Sequence, residues 1–87
     1  MSSFVSYCGF VKVSEMSGQD LKENFGRQVR LFRKDDDMTQ SDLAEAVNVS
    51  TEYVSHIERG LASPSFDVIA RIAQALNRDV AEMFAFD

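Results

Sequence analysis

Thr39-Gln40-Ser41-Asp42-Leu43-Ala44-Glu45-Ala46-Val47-Asn48-Val49-Ser50-Thr51-Glu52-Tyr53-Val54-Ser55-His56-Ile57-Glu58-Arg59-Gly60 sets two helix starts and two helix stops in one short run. Thr39 carries the hydroxyl that caps a helix N-terminus, and Asp42 follows three residues on. Leu43, Ala44 and Val47 then fall on one face. Asn48 ends the helix, because its short amide side chain tolerates the left-handed backbone of a sharp turn. Ser50 caps a second helix that runs to about Arg59 and stops at Gly60.

Only Asn48 and Val49 separate the first helix from the second cap, and so short a turn forces a steep crossing, the helix-turn-helix unit. Ala44 is small where the helices must approach closely, and Val49 and Val54 fill the space between them. At about 100° per residue, Thr51, Glu52, Ser55, His56 and Arg59 share one sector of roughly 140° on the second helix. Tyr53, Val54 and Ile57 lie opposite and face the core. The first set is polar and mostly short. A helix of this kind fits a DNA major groove with its N-terminal residues nearest the base edges. On helix periodicity alone, the same face also reads as a plain solvated surface.

On the N-terminal side, Leu21, Phe25, Val29 and Phe32 recur at helical spacing and predict a helix from about Asp20 to Lys34. The run Asp35-Asp36-Asp37 ends it. On the C-terminal side, Pro64-Ser65 opens a fourth helix with Ile69, Ile72, Ala73 and Leu76 inward and Asn77 as its stop. A short fifth helix, about Asp79 to Ala85, offers Val80, Met83 and Phe84. The expected fold is all-α, a five-helix domain over residues 20–87, preceded by an extended or disordered segment, residues 1–19. Within that segment Phe4 to Val13 has strand composition, and a lone strand is not stable. It either pairs with its copy in a second subunit or is poorly ordered; a third reading makes Met16 the natural start.

Composition excludes several function classes. A chain of 87 residues is one domain, and a domain of that size buries only about 60 to 65% of its unfolded surface, so dimerisation is a common remedy. The hydrophobic fraction of 45% supports a core. The net charge of −5 argues against nucleic acid when taken as a sum, but binding depends on where charges sit. One cysteine, Cys8, and one histidine, His56, exclude an internal disulfide and a zinc cluster. Cys8 has no charged neighbour and reads as inert. No apolar run reaches membrane length and no signal peptide is apparent, so the expected location is the cytoplasm. Paired catalytic carboxylates, a nucleophile–base set and a phosphate loop are all lacking, and consecutive aspartates at 35–37 do not converge on a cation, so no enzyme activity, cofactor or metal is expected. His56 has no carboxylate-plus-nucleophile partner for catalysis and can instead make binding pH-sensitive.

The stretch from Met38 to Ser50, followed by Tyr53-Val54-Ser55-His56-Ile57-Glu58-Arg59-Gly60, resembles the Cro/C1-type helix-turn-helix family of phage repressors and bacterial regulators. The resemblance extends back through Gly26, Val29-Arg30 and Phe32-Arg33, and forward through Pro64-Ser65, Ile72-Ala73 and Ala75-Leu76. Within the family, Tyr53 to Gly60 is similar to the controller proteins of restriction–modification systems. The resemblance implies a lambda-repressor-like domain that binds double-stranded DNA as a homodimer and regulates transcription. It implies base contacts by Thr51, Glu52, Ser55 and His56, and a Gln40 whose side chain contacts phosphate and buttresses the recognition helix, where the helix N-terminus also favours phosphate. It implies a structural ion pair between Arg33 and Glu58. Such a pair, when buried, costs about 3 to 5 kcal/mol to break by one substitution.

Two positions depart from the family pattern. Asp37 and Asn48 stand where glycines are usual, and both residue types tolerate a left-handed backbone. The three aspartates are expected to point away from phosphate. Glu52 either accepts a hydrogen bond from a cytosine amino group or favours the helix N-terminus electrostatically. The loop Leu61-Ala62-Ser63 lacks basic residues, so phosphate affinity is expected from Arg59, Arg27 and Lys34 as well as backbone amides, with a modest salt dependence. Val80, Met83, Phe84 and Phe86 crowd one chain end and suggest a dimer surface. The alternative function is a protein-interaction module, such as an antitoxin or adaptor, that keeps the fold with weak or no DNA binding.

Overall fold

The computed structural model describes residues 16–85. Its elements are α1 (Gly18–Asp35), α2 (Gln40–Val47), α3 (Thr51–Glu58), α4 (Phe66–Ala75) and α5 (Val80–Met83). The described residues are all-helical, as expected. The strand reading for Phe4 to Val13 and the position of Cys8 lie outside them.

α1 starts two residues before the expected point. Ser17 is its cap: its hydroxyl accepts from the Asp20 N–H at 3.1 Å, and the Asp20 carboxylate accepts from the Ser17 N–H at 3.4 Å. This reciprocal box places Gly18 and Gln19 inside the helix and not in the N-terminal extension that their composition suggests. Met16 packs on the core just before the cap. The other starts fall where local chemistry puts them. Thr39, Ser50 and Ser65 accept from the backbone N–H three residues on. Asp37, Asn48 and Asn77 all take positive φ, at 56°, 65° and 54°, which short polar side chains permit at helix ends and turns. α5 is shorter than expected and ends at Met83, because Phe84 leaves helical geometry with φ at −112°.

The core draws on every helix: Phe25 and Val29 from α1, Leu43, Ala44 and Val47 from α2, Val54 and Ile57 from α3, Ile69, Ile72 and Ala73 from α4, and Met83 from α5, with Leu76 at the end of α4. α3 packs on both α1 and α2, and α4 packs on α2 and α5. The Gln28 amide closes the chain end against α1 by donating to the carbonyls of Glu82 and Ala85, each at 3.2 Å. Phe84 stacks on Phe25 with ring centres 5.1 Å apart.

The α2 cap carries a testable pH dependence. The Asp42 carboxyl is held below its usual value near 3.8 by the backbone N–H and then the hydroxyl of Thr39, with burial opposing weakly. A carboxyl whose folded-state value is depressed stabilises the fold above its unfolded value, and the contribution is lost as pH falls through the folded value. Thr39→Ala removes the hydroxyl that caps α2 and should lower stability by about 1 kcal/mol at neutral pH. The deficit of Asp42→Asn should be present at pH 6 and shrink at acid pH, as the carboxyl takes up its proton below the usual 3.8. Urea melts of wild type and both variants at pH 6 and at acid pH check this.

Candidate nucleic-acid interface

The turn between α2 and α3 is built from local backbone bonds. Asn48 at φ 65° and ψ 48° directs its N–H back to Glu45 at 3.3 Å, and the Val49 N–H reaches Ala44 at 3.0 Å. These bonds satisfy the last carbonyls of α2 while the chain reverses. Ala44 and Val54 are sealed beneath the turn, and Val49 is half-buried against them.

The fold turns the polar face of α3 outward. Thr51, Glu52 and Arg59 are exposed, and Ser55 and His56 are half-buried. Among the described residues, no hydrogen bond occupies the side chains of Thr51, Glu52, Ser55 or His56. Tyr53 is half-buried and Val54 and Ile57 are buried, so the division of α3 into outer and inner sectors follows the expected angles. Glu52 sits in the first turn of α3, where its charge also suits the helix dipole.

Beside this face lies a buried polar joint. The Arg33 guanidinium donates to both carboxylate oxygens of Glu58, from Nε at 2.6 Å and Nη2 at 3.1 Å, and Nη1 donates to the Met38 carbonyl at 2.7 Å. The two side chains are only 9% and 4% exposed. Gln40, the first residue of α2, donates from Nε2 to Glu58 Oε1 at 3.1 Å. Glu58 therefore pins the end of α1, the start of α2 and the end of α3 together. The Arg33–Glu58 contact is present where the resemblance implied it. The tie from Gln40 to the same carboxylate is a brace on the recognition helix of the kind the resemblance implied for Gln40; its acceptor, 18 residues away, has no local mark in the sequence. Among the described residues, the backbone N–H groups of Gln40 and Ser41 have no acceptor. They form the donor end of α2.

The cations divide unevenly. Arg27 and Arg59 line one shallow cleft together with Arg30, Glu23 and Glu58. Arg30 was not among the expected phosphate contacts, although its place three residues after Arg27 on a helix puts both on one face. Lys34 is exposed and seven residues after Arg27, hence on nearly the same stripe of α1, but it does not line the cleft. Arg27 is partly engaged, its Nη1 donating to the Asn24 side-chain oxygen Oδ1 at 2.7 Å. Asp35, Asp36 and Asp37 are all exposed, and Asp36 turns towards Arg78 at 3.6 Å, on the α4–α5 corner.

Of the residues expected to form a dimer surface, Val80 is 46% exposed and Phe84 is half-buried, while Phe86 lies outside the described residues. Met83 does not join that surface. It is 0% exposed and belongs to the core, because α5 folds back onto α4 and α1 and directs it inward.

A family model described as helix-turn-helix matches residues 29–83, a span that takes in α2, α3 and the Arg33–Glu58 joint. The chain belongs to this HTH_3 family. An HTH-type transcriptional regulator from Archaeoglobus fulgidus is 35% identical over 60 residues, covering 69% of this chain and 86% of the relative. The restriction–modification controller protein C.AhdI from Aeromonas hydrophila superposes with a TM-score of 0.70 at 31% identity, covering 71% of this chain and 94% of its own. The biofilm master regulator SinR, solved in complex with DNA, superposes with a TM-score of 0.65 at 30% identity, covering 68% and 95%. Among the described residues, no helix of this HTH_3 chain is long and apolar enough to cross a membrane.

Proposed function

We propose that this HTH_3 protein is a sequence-specific regulator of transcription that binds double-stranded DNA as a homodimer in the cytoplasm. The observation that carries the reading is the outward polar edge of α3 beside Gln40, whose side chain Glu58 fixes at the N-terminus of α2. In this reading Thr51, Glu52, Ser55 and His56 reach base edges in the major groove. Gln40, the free α2 amides and the stripe Arg27, Arg30, Lys34 and Arg59 meet the phosphates. Val80, with Phe86, supplies the contact between protomers, and the operator holds two half-sites about one helical turn apart. The net charge of −5 keeps indiscriminate DNA affinity low, so discrimination rests on the paired site.

In vitro selection from random duplexes tests this. An enriched inverted repeat is the expected result, and recovery of no enriched sequence overturns the reading. Variants separate the roles. Thr51→Ala, Glu52→Ala and His56→Ala should each shift base preference at defined positions, by about 1 to 3 kcal/mol per lost specific contact. Gln40→Ala should instead weaken all sites alike. Sedimentation of wild type and Val80→Asp should show a dimer lost on substitution.

A further inference from the structure

One side of the bundle carries an apolar groove that the DNA-reading face does not use. Its walls are Leu21, Phe25, Pro64, Phe66, Ile69 and Phe84, and it encloses about 290 Å³. Phe66, the first residue of α4, stands at its mouth 90% exposed. An aromatic ring left in water beside an apolar cleft marks a surface that takes a partner. The volume suits a few side chains of an extended strand rather than a helix.

We propose that the occupant is the chain's own N-terminal segment, Phe4 to Val13. Seven of its ten residues, Phe4, Val5, Tyr7, Cys8, Phe10, Val11 and Val13, are apolar, and Lys12 is its single charge. As an extended strand it would present Val5, Tyr7, Val11 and Val13 on one side. The chain enters the folded body beside the groove: Met16 packs on the core and Gly18 is itself part of the lining. Val13 lies five residues before Gly18, a span of up to about 17 Å, which lets the segment fold back along the walls. Tethering favours this occupant over a second copy. A short linker holds the segment at millimolar effective concentration, which a free copy in solution does not reach. The docked segment covers Phe66 and gives the strand composition at the N-terminus a partner within the chain.

The lone cysteine provides the probe. A nitroxide attached at Cys8 of the full chain, with the same molecules isotope-labelled for NMR, should bleach the amides of Leu21, Lys22, Phe66 and Ile69 selectively. In a one-to-one mixture of spin-labelled and isotope-labelled chains, those amides should keep their intensity. Phe66→Ser, at an exposed position that leaves helix content intact by circular dichroism, should abolish the selective loss. Absence of selective loss overturns the proposal, as does loss that survives Phe66→Ser. Loss of the same size in the mixed sample also overturns it, assigning the groove to the segment of a second copy.

Discussion

Gly26→Ala should remove at least about 2 kcal/mol of stability and lower the melting temperature by roughly 10 °C or more. Gly26 lies in α1 where that helix meets the end of α3. A methyl group at this position would fall on the carbonyl oxygen of Ile57 and lie 2.8 Å from that of Glu58. Both obstacles are backbone atoms, so no side-chain rotation relieves the overlap, and α1 and α3 must part. Alanine gains only about 1 kcal/mol of helix propensity over glycine, which falls short of the cost of forcing two backbones apart. A domain of this length has a total stability of roughly 4 to 13 kcal/mol, so the loss takes a sizeable share. Gly18→Ala is the control. A methyl there meets nothing within 4 Å, and stability should hold or rise slightly. Thermal melts of the two variants beside wild type give the comparison, and an unaltered Gly26→Ala melt would show that the α1–α3 contact is looser than its geometry states. The same contact sets the end of α3, so residual folded Gly26→Ala should also bind an operator less well.

What the sequence disclosed and what it withheld divide along contact range. The α2–α3 turn was legible because its determinants are local: a hydroxyl at Thr39 and Ser50, and a left-handed backbone at Asn48, each act within a few residues. The left-handed backbone at Asp37 was legible for the same reason. The box between Ser17 and Asp20 is equally local, but Gly18 and Gln19 carry no apolar periodicity, so the start of α1 was placed late. Met83 shows a different limit. An apolar residue near a chain end requires burial, and sequence does not distinguish burial in the protomer from burial against a partner; only the path of α5 puts it inside. The joint at Glu58 spans separations of 25 and 18 residues. No periodicity encodes it, so both its Arg33 pair and the brace by Gln40 came from family resemblance, and the structure added that Gln40 reaches the same carboxylate. Arg30 was passed over because an exposed arginine on α1 has no local mark of function until α3 brings Arg59 beside it.

That joint carries the second large effect. Arg33→Met alone should cost about 3 to 5 kcal/mol, because it leaves the Glu58 carboxylate buried with the Gln40 amide as its remaining side-chain donor. Glu58→Leu alone should cost a similar amount, since it strands the guanidinium and the Gln40 amide together. The double variant Arg33→Met with Glu58→Leu should recover most of the loss, because two apolar side chains of similar volume remove the desolvation cost on both sides. Added salt should change the coupling little, as both side chains are at most 9% exposed. A cost under about 1 kcal/mol for Arg33→Met would instead put the pair in the range of solvent-screened surface bridges. DNA binding separates the two roles of the joint. The double variant restores the bundle but leaves Gln40 without the carboxylate that orients it at the start of α2. Its operator affinity should therefore stay reduced at all sites, as for Gln40→Ala, while its base preference remains that of wild type. If affinity returned with stability, Gln40 would not depend on Glu58 for its placement, and the joint would serve the fold alone.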